Sequence, residues 1–451
     1  MMAIRKWAVA LMAAGVLASL TACETKRAPS SLPEMSGGEE GGKAEGYVDV
    51  EELGAYGNDS GDDWEIVNEA LRQGKSLYFG AGTYRFSKPL ELDGQNIAGV
   101  SFGKTVLMYT GSDRQPLIRA QGVCGIRDMT LSFDKAVMTG QEKEGENVAI
   151  WLGGQKGLEP GSYVRNICLN QCGTAVYAPG NLENAASGVS FDTLEVQSFS
   201  YRGFDLRSPG RAGNTYTNIY CGAAYDNDTK ALSDAVFALG GGEVAPQIHQ
   251  LNVEHSNSRQ PIIFSNLRDL TATAIHIEGM NIGEAGRGYV NIDHTSGVIR
   301  ALTVYWSRVD QKGCSTVRLG DAADGGDALR FETFHMKGIN DPNQGLHGNW
   351  PARGIAAGNA DDFKMIARPA GSQNDYRVTV DSLVYFTFQN DRERYESFPC
   401  DDGTITFLKK GQLPAGGPTG LRPAVRLCAG YTTYYDTDLG KLLTWNGKSW
   451  S

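Results

Sequence analysis

Leu251-Asn-Val-Glu254 alternates apolar and polar residues, and 24 residues further on Ile275-His-Ile-Glu278 does so again. A period of two marks a β-strand with one buried face. The same apolar-x-apolar-x pattern occurs upstream in Met129-Thr-Leu-Ser132, Ile167-Cys-Leu-Asn170, Leu194-Glu-Val-Gln197 and Ile219-Tyr-Cys-Gly222. Downstream it recurs in Leu302-Thr-Val-Tyr305 and Phe334-His-Met-Lys337. Counted from the fourth residue of each segment, the steps are 38, 27, 25, 32, 24, 27 and 32 residues. A strand that returns at such intervals, with Gly and Asn between, predicts one strand per coil of a solenoid. No coil can bury its apolar face alone. Stacked coils, with strands about 4.7–4.9 Å apart, share one core. A β-propeller would need about 40 residues and four strands per blade, which these steps do not supply.

A solenoid needs capped ends. Asp62-Asp63-Trp64-Glu65 opens a helical pattern with Ile66, Val67, Ala70 and Leu71 on one face. Asp62 and Glu65 have capping-box spacing, Gly74 is placed to end the helix, and Lys75-Ser-Leu-Tyr-Phe79 reads as the first strand. Leu53-Gly-Ala-Tyr-Gly-Asn-Asp-Ser-Gly-Asp-Asp63, Ala70-Leu71 and Leu77-Tyr-Phe-Gly-Ala-Gly-Thr-Tyr84 together resemble the opening of pectate-lyase superfamily proteins. In that family an acidic Gly-rich turn, a capping helix and a Phe-x-x-Gly-x-Tyr strand start a right-handed parallel β-helix. Gly80 departs from the pattern, since Pro is commoner there. The resemblance implies an all-β, single-stranded parallel β-helix with an N-terminal capping helix. It does not select a reaction, because the family includes lyases, hydrolases, epimerases and phage tailspikes.

The N-terminus reads as a targeting segment. Arg5 and Lys6 precede an apolar run from Trp7 to Leu20, and Leu20-Thr-Ala-Cys23 resembles the bacterial lipobox. Residues 1–22 are thus expected to be a lipoprotein signal peptide, with Cys23 carrying the lipid that anchors the chain to a membrane of the cell envelope. Residues 23–46 are rich in Gly, Ser, Pro, Lys and Glu and read as a flexible tether. Loss of residues 1–22 would move the formal charge from −10 to −12. That acidity argues against nucleic acid as a partner. Of 8 Cys, Cys23 is assigned to lipid. Cys400 with Cys428 is the favoured disulfide, and Cys168 and Cys172 are expected to be buried structural thiols. No zinc or calcium cluster is evident, so no metal site and no cofactor are expected.

The β-helix is expected over residues 47–350 and a separate small C-terminal β region over 351–451. Tyr376-Arg-Val-Thr-Val380 and Leu383-Val-Tyr-Phe-Thr-Phe388 alternate within that region. Gly430-Tyr-Thr-Thr-Tyr-Tyr-Asp-Thr-Asp-Leu-Gly440 with Leu443-Thr-Trp-Asn-Gly-Lys-Ser-Trp450 is similar to tail segments of phage proteins. It reads as two strands with a tight turn at Asn446-Gly447, and Tyr435, Trp445 and Trp450 would form a small aromatic core or a sugar platform. Such a tip implies a homotrimer as one assembly.

β-helix enzymes act on the outside of the solenoid. The outward fourth position of the repeats reads Ser132, Asn170, Gln197, Gly222, Glu254, Glu278, Tyr305 and Lys337. The outward second position reads Thr130, Cys168, Glu195, Tyr220, Asn252, His276, Thr303 and His335. In register, Glu254 and Glu278 sit on adjacent coils, about 5 Å apart. Two carboxyl groups at that distance supply the acid and the base or nucleophile of glycoside hydrolysis. His276 and His255 are candidate proton shuttles. Asp226, Asp228 and Asp234, in the loop after Ile219–Gly222, are alternative acids, and Asp228 is included in the candidate set. Tyr220, Arg287, Tyr305 and Trp306 are candidate substrate-binding residues. The catalytic motifs of polygalacturonases are absent. Val290-Asn-Ile-Asp-His294 is similar to an element of pectate lyases but lacks the companion Arg-x-Pro-x-x-Arg. The expected function is cleavage of a polysaccharide by glycoside hydrolysis in a groove on the β-helix. The alternatives are a non-catalytic glycan-binding or phage-derived structural protein and a uronate polysaccharide lyase.

Overall fold

The computed structural model describes residues 46–451 apart from 183–184, 223–231, 255, 306, 310, 312, 323–327, 338–363, 368–376, 387–391, 400–404, 410–415, 418–432, 437–438, 440 and 445–451. Cys23, Cys400, Cys428, Trp445 and the Asn446-Gly447 turn lie outside the described residues.

The chain is a parallel β-solenoid of about 9 turns. Each alternating segment returns one coil later in the predicted register. Met129 pairs with Ile167, Ile167 with Leu194, Leu194 with Ile219 and Ile219 with Leu251. The series continues through Ile275, Leu302 and Phe334. The inward residues, such as Leu251, Val253, Ile275 and Ile277, are fully buried, so their neighbours must face outward. This row of strands is the ladder face. A leading face precedes it on each coil and a rear face follows it. The rear face runs through Val148–Leu152, Ala235–Leu239, Ile262–Ser265, Gly288–Asp293 and Ser315–Leu319.

The corner between the leading and ladder faces is made by one residue in the left-handed region, stacked over four coils. Asp128, Asn166, Thr193 and Asn218 have φ of 62°, 54°, 55° and 54°. Asn and Asp tolerate that conformation better than other non-glycine residues. The stack is also tied by side chains, since the Asn166 amide donates to Asp128 at 2.6 Å and the Asn218 amide to Thr193 at 3.4 Å.

Aromatic rings continue the stacking inside. Phe191 lies flat on Tyr216 of the next coil at 5.2 Å, and Phe237 meets Phe204 at 5.1 Å and Phe264 at 6.5 Å. Beside Tyr216 lies a completely buried ion pair, Arg211–Glu243, at 2.7 Å. Arg211 also donates to the carbonyls of Leu206, Ser208 and Gly240, and Glu243 accepts from Asn214 at 2.9 Å. The remaining valences of both ions are therefore filled, as burial of charge requires.

The N-terminal cap differs in detail from the sequence expectation. The helix is Trp64–Arg72, with Asp63 rather than Asp62 at its N-cap. Asp63 turns its carboxylate to the backbone of Arg85 at 2.9 Å, and Asp62 accepts from Trp64 N and Ser87 N, both at 3.1 Å. Both acids thus stitch the helix start to the first coils, and no capping box forms. Ile66 is exposed, while Asn68 is buried in its stead and accepts from Glu91 N. Gly74, at φ 77°, does terminate the helix. Its N–H reaches Leu71 O and the next N–H reaches Ala70 O, the paired bonds of a left-handed C-terminal cap.

Parallel pairing runs past the expected boundary at residue 350. Arg377–Phe386 pairs in register with Ala328–Lys337, and Lys364–Ala367 pairs with Ser315–Leu319. The alternating run from 376 therefore builds a further coil of the solenoid. Antiparallel strands Arg392–Pro399 and Ile405–Lys409 then pair along it. The tip is an antiparallel pair, Thr433–Asp436 with Lys441–Thr444, so the connection between its strands falls at 437–440.

Candidate functional site

The ladder face carries the candidate site. Asn252 is paired with His276 and Glu254 with Glu278, and Thr303 and Tyr305 follow on the next coil. The His276 Nε2 lies 3.0 Å from the Glu278 carboxylate, and its ring stands edge-on to Tyr305 with centroids 5.4 Å apart. One carboxylate oxygen each from Glu254 and Glu278 and one imidazole nitrogen of His276 lie within 4.8 Å of one another. All three residues are partly exposed. The strand register thus brings together the two predicted carboxylates and the predicted histidine. No metal cluster was expected from residue spacing. These three donors nevertheless form a set that could accept a divalent cation.

One coil towards the N-terminus, Tyr220 pairs with Asn252 and feels the charge of Glu254 two residues along that strand. Burial, and then the charges of Glu254 and Glu195, push its hydroxyl well above the usual tyrosine range. Glu195 pairs directly with Tyr220 across the strands. Burial raises the Glu195 carboxyl, partly offset by the Gln197 amide donating to it. The site therefore extends from Glu195 to Tyr305. The sequence held a signal for Glu195, since it falls on an outward ladder position, but nothing marked it as chemically coupled to Tyr220.

Other predicted residues are placed elsewhere or lie outside the description. Arg287 leads into the rear-face strand Gly288–Asp293, is paired with Glu284 at 2.8 Å and lies beside Arg318, whose guanidinium is lowered by burial and by the Arg287 charge. Asp293 is paired with His294 at 3.1 Å. Asp234 is held by Arg202, with Nε at 2.8 Å. His255, Asp226, Asp228 and Trp306 lie outside the described residues. Cys168 and Cys172 are buried.

Arg202 and Asp234 belong to a second charged network on the rear face. Asp205 is fully buried between Arg202 at 2.8 Å and Arg207 at 2.6 Å. Arg207 continues to Glu144 at 2.7 Å, and the Tyr177 hydroxyl donates to Glu144 at 2.8 Å. Trp151 packs edge-on against Tyr177 at 4.7 Å. This network fastens the loop between Gly125–Phe133 and Val148–Leu152 onto the solenoid. Glu142 of that loop accepts from Thr139 and from Ser200, two coils away, and Glu146 pairs with Arg114 at 3.1 Å.

No family model and no curated protein matches the chain. Solved structures do. The catalytic unit of a GH87 alpha-1,3-glucanase from Streptomyces thermodiastaticus strain HF3-3 is 14% identical, with a TM-score of 0.44 over 75% of this chain and 69% of that one. The gp42 tailspike of Acinetobacter phage vb_AbaP_AS12 is 12% identical, with a TM-score of 0.39 over 78% of this chain and 65% of that one. The A-module of the mannuronan C-5 epimerase AlgE4 from Azotobacter vinelandii is 13% identical, with a TM-score of 0.30 over 74% of this chain and 94% of that one. Function has to be argued from the site.

Proposed function

We propose that this protein cleaves a polysaccharide by glycoside hydrolysis on the ladder face, at a cell-envelope surface to which lipid on Cys23 tethers it. The observation that carries the reading is the in-register Glu254–Glu278 pair, with carboxylate oxygens within 4.8 Å. A gap of about 5–5.5 Å between the two carboxyl groups suits a retaining mechanism, whereas about 6.5–9.5 Å leaves room for an attacking water. Glu278, in contact with His276, donates its proton to the glycosidic oxygen as the bond to the anomeric carbon breaks. Glu254, held by Tyr220, attacks that carbon to give a glycosyl-enzyme ester. Water then opens the ester, with Glu278 taking the water's proton. Tyr305, ordered against His276, offers a face for a sugar ring.

Screening a glycan library for new reducing ends tests the reading. Glu254→Gln and Glu278→Gln should each lower turnover at least about 100-fold, and NMR of the first product should show the starting anomeric configuration. Undiminished turnover in either variant, or an inverted product, overturns the assignment. The Glu-His-Glu donor set favours a second reading, uronate lyase action with a cation neutralising the uronate. That reaction would leave an unsaturated, ultraviolet-absorbing product and would stop on chelation. Labelling with a radioactive fatty acid, lost in Cys23→Ala, tests the anchor.

A further inference from the structure

We infer that Gly222 is a vacant rung that lets the Tyr220 ring lie across the ladder and hold Glu254, which makes Tyr220 a positioning residue for that carboxylate.

Seven of the eight outward fourth positions carry a side chain, and position 222 does not. Glycine is costly within a strand-like segment, because it loses more backbone freedom on folding than other residues do. It is repaid where the backbone needs a positive φ, but Gly222 is not among the positive-φ glycines. What the position needs is room. A Cβ there would lie 2.8 Å from Tyr220 Cε1, 3.2 Å from its hydroxyl oxygen and 3.3 Å from Cζ. The tyrosine ring therefore leans along its own strand, over residue 222, instead of standing straight out from the face. Cys221 is paired with Val253, so the next residues on the two strands, Gly222 and Glu254, are neighbours on the outside. The lean carries the phenol towards Glu254, whose charge acts on the hydroxyl. The backbone cannot give way to make room, since Gly222 N donates to Val196 O at 2.8 Å and Gly222 O accepts from Ser256 Oγ at 3.0 Å.

A glutamate on an exposed ladder has three rotatable bonds and no fixed direction of its own. Two glutamates side by side need separate partners if they are to differ in role. Glu278 has His276, which is steadied by Tyr305. Glu254 has Tyr220, which is steadied by the space over Gly222. Its part in turnover rests on the hydrolysis proposed above, whereas the contact itself does not.

The test uses the full chain with glutamate 13C-labelled at the side-chain carboxyl, the Glu254 and Glu278 resonances being identified by their loss in Glu254→Gln and Glu278→Gln. Tyr220→Phe keeps the ring and removes the hydroxyl. It should move the Glu254 resonance and leave that of Glu278 in place. Gly222→Ala should move the Glu254 resonance too, by displacing the ring. In a Tyr220→Ala background, Gly222→Ala should add no further change. A Glu254 resonance that stays put in Tyr220→Phe overturns the inference, as does a Gly222→Ala effect that persists without Tyr220. On a glycan that the wild type cleaves, Tyr220→Phe should lower kcat about 10- to 100-fold with KM within about twofold. A moved resonance in a chain that cleaves no glycan upholds the positioning and sinks only the hydrolysis.

Discussion

Gly82 illustrates at the level of one residue why the opening motif has the form it does. Its φ is 149°, and a Cβ would lie 2.4 Å from Gly57 O. The two glycines let the acidic turn and the first coil touch backbone to backbone. Gly82→Ala should cost about 2–4 kcal/mol from strain and overlap together. Gly94→Ala, at φ 93° with open space around it, should cost only about 1–2 kcal/mol. Urea denaturation of the two variants separates clash from conformation. Glu243→Gln, which leaves the Arg211 charge buried and unpaired, should cost about 3–5 kcal/mol in the same assay. Glu254, His276 and Glu278 were legible because alternation decides which way a strand residue faces and the repeat decides which coil it joins. The lean of Tyr220 over Gly222 was not. The lean of a side chain along the ladder depends on the space beside it, which a period of two does not encode. Arg211 and Glu243 were hidden for another reason: they stand in connections between strands, where no periodicity operates.

Among the elements, the loop from 134 to 147 is held most visibly by charge. Burial opposes ionisation of Glu144, but the Tyr177 hydroxyl and the Arg207 guanidinium outweigh it, so its carboxyl lies below the ordinary range. Glu146 is lowered likewise, by the Lys143 N–H and by Arg114 against its burial. A depressed carboxyl stabilises the fold above its unfolded value, and that contribution is lost as pH falls through the folded value. The loop should therefore stay closed at neutral pH and loosen only below the usual carboxylate range, near pH 4 or lower. Hydrogen exchange of residues 141–147 should rise there, and Glu144→Gln should produce part of that rise at pH 7. Unchanged exchange in the variant would show that Glu144 does not hold the loop. The capping helix shows how tertiary partners shift element ends. Gly74 ends it as its conformational freedom predicts, yet the N-cap moves by one residue because Arg85 and Ser87 compete for the two aspartates.

The solenoid is quasi-one-dimensional, each inner coil resting on its two neighbours. Its end coils should exchange amide hydrogens before its central ones, and a uniform loss of protection would contradict that. The solenoid was readable from the spacing of short segments, whereas its C-terminal limit was not, because Arg377–Phe386 obeys the same alternation whether it joins the stack or a separate sheet. The left-handed corner residues have a consequence for how such a chain can change in length. Over their four coils they return the backbone to the same phase on each circuit. Excising residues 171–197 would set Ser198 directly after Asn170, the partner of Gln197, and the shortened protein should still give a β-sheet circular dichroism spectrum with a lower Tm. Excising 171–183 alone should give an insoluble or unfolded chain. Growth or loss by whole circuits would lengthen or shorten the outer face by about 4.8 Å at a time, leaving the Glu254–Glu278 pair untouched. Under the proposed hydrolysis, the span of a linear polymer lying along that face would thus be adjustable independently of the carboxylate pair that cleaves it.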